Sequence, residues 1–284
     1  MIRQILVYFN TRKDESCAQT LRIVRFLKEQ GVSVFMDQER RALHPDLENL
    51  TSPLDEERKG NMDLAVVLGG DGTMIRCGHF LQGTGVPLIG INLGTLGYLT
   101  EIDPSNPEET LLKAIRGQFR VENRLMLEGS IGDDPTLYTA INDFVIHRDL
   151  LDGILTIRCH IGGHFLTEFH ADGVIVSSPG GSTAYNYSAG GPILDPVSDN
   201  MILTPLCSHA IVDRSIVLGG GEALSFYIDG FTKGNRALFM ADGDRYVDIP
   251  AKTWIHVRKS RWNFPLAKVS ERSFYEIVQM KMRP

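Results

Sequence analysis

Long apolar runs are what this sequence most clearly lacks. No stretch of its 284 residues approaches the roughly 18 apolar residues that span a bilayer, and the apolar part of the opening MIRQILVYFN is too short for a signal peptide. Cysteine is scarce as well. Cys17, Cys77, Cys159 and Cys207 lie far apart with no C-x-x-C pair, which favours reduced thiols in a cytoplasmic chain over a disulfide framework. Positive charge is in deficit, with 29 Lys and Arg against 35 Asp and Glu. The resulting net charge of −6 argues against the broad basic surface that a nucleic-acid partner needs. Anionic small molecules, which local donors can bind, remain open. There is no internal repeat and no low-complexity tract.

What is present is an ordinary globular composition, 43% hydrophobic and 23% charged, in a chain long enough for two domains. The first third alternates between strand and helix patterns. QILVYF (4–9), VSVFM (32–36), DLAVVL (63–68) and VPLIGIN (86–92) read as strands, the first with no polar face. A helix capped by Asp14 or Ser16 buries Leu21, Ile23, Val24 and Leu27 and stops at Gly31. Residues 37–61 read as a charged surface excursion, and SNPEETLLKAIRG (105–117) as a helix opened by Ser105 or Asn106 and Pro107. Strands separated by helices imply crossovers and a parallel, Rossmann-like sheet over 1–120.

Beyond residue 120 the texture changes to strands joined by short turns, with Gly162-Gly163 and Asp242-Gly243 as hairpin signals. The expectation is an α/β domain over 1–120 and a mostly antiparallel β-sandwich over 121–269. ERSFYEIVQMKM, within 270–284, reads as a helix packing back on the first domain.

Two stretches carry chemistry. In VVLGGDGTMI (66–75), Gly69, Gly70 and Gly72 follow a strand and precede a helix. There a turning backbone and free amides around Thr73 can meet phosphate oxygens. Asp71 is the odd member, because a carboxylate repels phosphate unless it binds metal or takes a proton from an attacking hydroxyl. That combination suggests phosphoryl transfer, although Asp-Gly is also a common plain turn. No Gly-Lys-Ser/Thr follows, so this is not a Walker loop. In DGVIVSSPGGSTAYNYSAGGPIL, Gly180, Gly181, Ser182 and Thr183 read as a second anion or hydroxyl site or as a helix cap, with Tyr185 as a surface for a flat ring. His160, His164 and His170 fall close together, but Cys159 gives no structural zinc spacing, so no transition metal is expected.

Taken in order, LGGDGTMI, GINLGTLGYLTEI, INDFVIHR and DGVIVSSPGGSTAYNYSAGGPIL resemble the bacterial NAD kinases, from about residue 63 to 210. GGDG alone places a chain only in the wider group that includes diacylglycerol and sphingoid lipid kinases and 6-phosphofructokinase. The resemblance implies transfer of phosphate from ATP to the 2′-hydroxyl of the adenosine ribose of NAD, with Mg²⁺ held mainly by the donor's phosphates. It implies Asp71 as the base and Gly72 and Arg76 near the phosphates, with Tyr98 beside the adenine. Asn142 and Asp143 would hold ribose hydroxyls, Asp143 standing where the family has the longer Glu. His170, Asp172, Thr183, Ala184, Tyr185, Asn186, Tyr187, Ser188 and Cys207 would complete the NAD site. His170 replaces a frequent arginine, which makes any charge there pH-dependent. A homodimer or homotetramer is implied too. A lipid kinase, and a module that senses NAD without catalysis, remain as alternatives. The donor range (ATP or polyphosphate), NADH acceptance and feedback are open.

Overall fold

The computed structural model describes residues 2–95, 97–149, 153–208, 214–233 and 236–282, with the backbone only at 245. The chain forms two compact units, Met1–Asn123 with Phe264–Pro284, and Arg124–Asn263.

The first unit is an α/β layer. It comprises β1 (Gln4–Phe9), α1 (Ala18–Glu29), β2 (Ser33–Met36), α2 (Gln38–Arg41), α3 (Pro45–Leu50), β3 (Ser52–Pro53), β4 (Leu64–Gly69), α4 (Asp71–Phe80), β5 (Leu88–Asn92) and α5 (Pro107–Ile115). The strands are parallel in the order β5-β4-β1-β2-β3. QILVYF and LAVVLG lack a polar face because β1 and β4 are central and covered on both sides. Asp14, not Ser16, holds the start of α1: its carboxylate accepts from the Thr20 amide at 2.8 Å and the Thr20 hydroxyl at 2.7 Å. The 37–61 excursion is a correction, since it contains α2, α3 and the edge strand β3. The charge pattern concealed them because Leu47 alone is buried on those two helices. After β3 the chain returns to set β4 on the other side of β1. That makes β1 and β4 the switch point, where open α/β sheets bind ligands at the strands' carboxyl ends.

The second unit is a mostly antiparallel sandwich. Its elements are β6 (Arg120–Ile131), β7 (Tyr138–Ala140), β8 (Asp143–Arg148), β9 (Leu155–Ile161), β10 (His164–Ala171), β11 (Gly173–Ser177), α6 (Tyr185–Ser188), β12 (Asn200–Leu206), β13 (Ile216–Gly219), β14 (Ala223–Phe231), β15 (Arg236–Ala241), β16 (Arg245–Pro250) and β17 (Thr253–Lys268). One sheet contains β10-β9-β14-β17 with β6 and β7; the other runs β13-β12-β11-β8-β15-β16. Leu125, Leu127, Phe144, Ile146, Phe226 and Phe239 share the core between them. Val145, Ile175 and Leu206 cluster on the other face of the second sheet, so β8 and β11 are apolar on both sides. The Gly162-Gly163 and Asp242-Gly243 turns have positive φ at all four positions, as two-residue hairpins require.

The last residues of β17 belong to the α/β unit, where Leu266 lies opposite Leu88 in parallel. There Lys268 pairs with Glu101 at 3.2 Å, the side chains only 7% and 5% exposed. Glu101 also accepts from the amides of Val269 (2.9 Å) and Ser270. The helix α7 (Phe274–Met282) follows, and 283–284 lie outside the described residues.

Candidate active site

At the carboxyl ends of β1, β4 and β5 the α/β unit opens a cavity of about 270 Å³. Its walls are Asn10 and Lys13 after β1, Gly70–Thr73 and Arg76 after β4, Thr95 and Gly97 after β5, and Lys281 of α7. Gly69 is glycine for a steric reason: a Cβ there would lie 2.3 Å from Thr73 Oγ1. Thr73 is buried, and its hydroxyl accepts from Asn10 Nδ2 at 3.2 Å, which ties the two switch-point loops together. The amides of Asp71 and Gly72, first in α4, have no partner among the described residues and add to the positive end of the helix.

Asp71 does not point freely into this space. Its Oδ2 accepts from the Tyr98 amide at 2.7 Å and its Oδ1 from the Leu99 amide at 3.0 Å. Gly97 makes this approach feasible, since a Cβ there would sit 2.0 Å from Asp71 Oδ1. Each carboxylate oxygen keeps a second lone pair, so the group stays an acceptor while fixed in place. Among the described residues lining the cavity it is the only carboxylate.

In the sandwich unit, Asp143 is 4% exposed and no described side chain donates to its carboxylate. Burial, with the neighbouring Asp242 charge, pushes its carboxyl up to about 7. The adjacent Asn142 side chain makes no hydrogen bond to a described residue, leaving its donors and acceptor available. Arg148 Nε donates to Asp172 at 2.6 Å, and this bond, helped by the Cys207 thiol, holds the Asp172 carboxyl below the usual range. Burial and then Asp143, Cys207 and Asp172 push the Tyr185 phenol up, so these four side chains share one electrostatic neighbourhood.

The comparisons with known proteins point one way. The description "ATP-NAD kinase N-terminal domain" matches residues 5–119 and "ATP-NAD kinase C-terminal domain" matches residues 141–269. The NAD kinase of Agathobacter rectalis is 33% identical over 99% of both chains. The chain belongs to the NAD kinase family. The NAD kinase of Carboxydothermus hydrogenoformans is 35% identical over 80% of this chain and 82% of its own. Among solved structures, an NAD kinase from Archaeoglobus fulgidus in complex with ATP is similar at a TM-score of 0.75, 25% identity and 98% coverage of each chain. Yeast NADH kinase complexed with NADH matches the fold at a TM-score of 0.83, with 23% identity over 98% of this chain and 86% of that one. The protein is therefore a kinase, and the lipid-kinase alternative falls.

The remaining residues expected at the site differ in how far the fold leaves their polar groups available. Asn186 is fully buried. Its amide donates to the carbonyls of Ser182 (3.1 Å) and Pro192 (3.0 Å) and its oxygen accepts from Thr204 at 2.7 Å, so it braces the loop. The Gly180–Thr183 run is a 3-10 turn rather than an anion nest: the Gly181 amide is taken by Ser178 and the Ser182 amide by Pro179. His170 faces Glu168 (3.4 Å) and Thr156 (3.2 Å). Thr183 and Ala184 are half-buried, while Tyr187 and Ser188 are exposed. Tyr98 packs its ring 6.1 Å from that of Phe274, and Arg76 is exposed at the cavity wall.

Sequence reasoning missed Asp242. At φ 50 it directs both oxygens at the backbone of 141–143, accepting from the amides of Ile141 (2.8 Å), Asn142 (2.7 Å) and Asp143 (3.2 Å). The Asp-Gly pair signalled a turn, and nothing local marks what the aspartate holds. Lys13 and Lys281 were missed as well. Lys13 had a signal, lying just past the carboxyl end of β1; Lys281 had none.

Proposed function

We propose that this kinase transfers the terminal phosphate of ATP to the 2′-hydroxyl of the adenosine ribose of NAD, giving NADP, with Asp71 as general base. The observation that carries the reading is the Asp71 carboxylate, held by two backbone amides at the wall of a cavity otherwise rich in cations. In the step, the 2′-oxygen attacks the terminal phosphorus, its proton passes to Asp71, and the bond to the ADP oxygen breaks. Arg76 and the free amides of Asp71 and Gly72 would stabilise charge on the transferred group. Asn142, Asp143, Asp172 and Tyr185 of the sandwich unit would hold the dinucleotide, Asp143 accepting from ribose hydroxyls as carboxylates do in dinucleotide folds.

The donor set suits a magnesium ion held mainly through phosphates and water, because Asp71 is the only carboxylate among the described residues lining the cavity. When bound, such an ion neutralises the donor's phosphate charge. The same two amide bonds support a second reading, in which Asp71 only anchors the loop at 97–99.

The test is NADP formation from NAD, ATP and Mg²⁺, followed by a dehydrogenase specific for NADP, in wild type and Asp71→Asn. Turnover lost with NAD affinity kept supports the base. Turnover and affinity lost together support the anchor, and normal turnover in the variant sinks both.

A further inference from the structure

The cavity of the α/β unit holds more positive charge than the GGDG loop and its helix supply. Lys13 reaches it from the turn after β1, and Lys281 from the last turn of α7. These residues stand near opposite ends of the chain.

The turn that aims Lys13 is built by Asn10. Its side-chain oxygen accepts from the Arg12 amide at 3.0 Å, and its carbonyl accepts from the amides of Lys13 and Asp14 at 3.1 Å. Buried Asp14, bonded to the start of α1, fixes the far side of the turn. Lys13 Nζ then lies against both glycine-bearing loops: a Cβ at Gly94 would be 2.8 Å from it, and one at Gly70 would be 3.4 Å away. Among the described residues this ammonium has no carboxylate within ion-pair distance.

Lys281 is held by a different device. Its Nζ sits 4.3 Å from the centroid of the Tyr98 ring, and the Tyr98 amide is one of the two that donate to Asp71. A π face retains an ammonium without neutralising it, so the charge stays available to an anion. Two lysines, Arg76 and two unpartnered amides against a single carboxylate suit a ligand with several negative charges along its length.

We propose that Lys13 and Lys281 together clamp the oligophosphate chain of the phosphate donor, which makes the C-terminal helix α7 a working part of the site. The identity of the ligand as donor rests on the phosphotransfer reading above; the binding itself does not. Arginine carries the charge that the clamp needs, whereas alanine and methionine do not.

The experiment is calorimetric titration of the full-length protein with inorganic tripolyphosphate and, separately, with ATP. Wild type, Lys13→Ala, Lys281→Ala, Lys281→Met and Lys281→Arg are compared. Each neutral variant is expected to lose about ten-fold or more in affinity, and Lys281→Arg to recover most of it. The donor KM should rise in Lys281→Ala while the NAD KM and the thermal midpoint stay put, which a merely structural lysine would not produce. Losses for both probes assign the clamp to nucleotide phosphates, and a loss for tripolyphosphate alone assigns it to an inorganic phosphate chain. Unchanged affinity for both probes in Lys281→Ala overturns the proposal. If the lysines govern tripolyphosphate binding and no NADP forms, the clamp stands and the phosphotransfer reading fails.

Discussion

The carboxylate of Asp71 and the backbone amide of Tyr98 meet at 2.7 Å across 27 residues of chain. This bond, with its neighbour from Leu99, fixes a first-turn residue of α4 to the loop that follows β5. In Asp71→Asn an amide NH₂ replaces one acceptor and confronts a backbone N–H. The expected outcome is a fall in kcat of roughly 10²–10⁴-fold, the usual range for a lost general base. NAD affinity measured by calorimetry should stay within about three-fold.

Gly97→Ala tests the same geometry without touching a titrating group. The new methyl must occupy space 2.0 Å from Asp71 Oδ1, so the carboxylate or the loop has to move. A displacement on this scale costs about 10²-fold in kcat. Steady-state assays with both substrates saturating will show it. A variant as fast as wild type would mean that the exact seat of Asp71 does not matter.

Asp143 should make both stability and NAD affinity depend on pH. Its carboxyl stands at about 7 in the folded protein against an ordinary 3.8, so folding takes up a proton between those values. Where the folded state binds more protons, stability falls as pH rises, and it levels off above about 7. NAD affinity should move the other way, because only the ionised carboxylate accepts from both hydroxyls. Melting curves and NAD titrations from about pH 5 to 8 should show opposite slopes, and Asp143→Asn should flatten both.

Asp242 should matter for the site without touching a substrate. Asp242→Ala strands the amides of Ile141, Asn142 and Asp143 and is expected to cost roughly 2–4 kcal/mol in a urea titration. Asp242→Asn can keep the oxygen that takes two of the three amides, so its cost should be smaller. In Asp242→Asn the NAD KM should rise more than the ATP KM, since the disturbed segment carries Asn142 and Asp143.

Lys268→Met leaves Glu101 as a buried carboxylate with no cation beside it, which costs about 3–5 kcal/mol. The double variant Lys268→Met/Glu101→Gln should regain part of that loss. Chemical denaturation of the two variants provides the comparison, and equal stability would show that the pair is not coupled.

What the sequence determined by itself was local. The apolar runs 4–9 and 63–68 became β1 and β4 because residues buried on both sheet faces have no polar period to show. Gly162-Gly163 and Asp242-Gly243 became hairpins because only such pairs readily take two positive φ angles. The GGDG stretch was legible because the glycines, the aspartate and the helix start are consecutive. β12, β13 and β17 did not stand out, since their apolar residues lack a turn signal of that strength.

The tertiary structure decided which polar groups are spent and which remain free. Asn186 and Asn142 are the same residue type, yet the side chain of one is consumed by three internal hydrogen bonds while that of the other has no hydrogen-bond partner among the described residues. Asp71, Asp143 and Asp242 likewise differ only in what the fold brings to them: two amides, a buried position, and three amides. Lys13 and Lys281 lie near the two ends of the chain, so no local pattern links them. They line one cavity because the parallel sheet gathers the loops after β1, β4 and β5 at one edge and α7 brings Lys281 to the Tyr98 ring beside it.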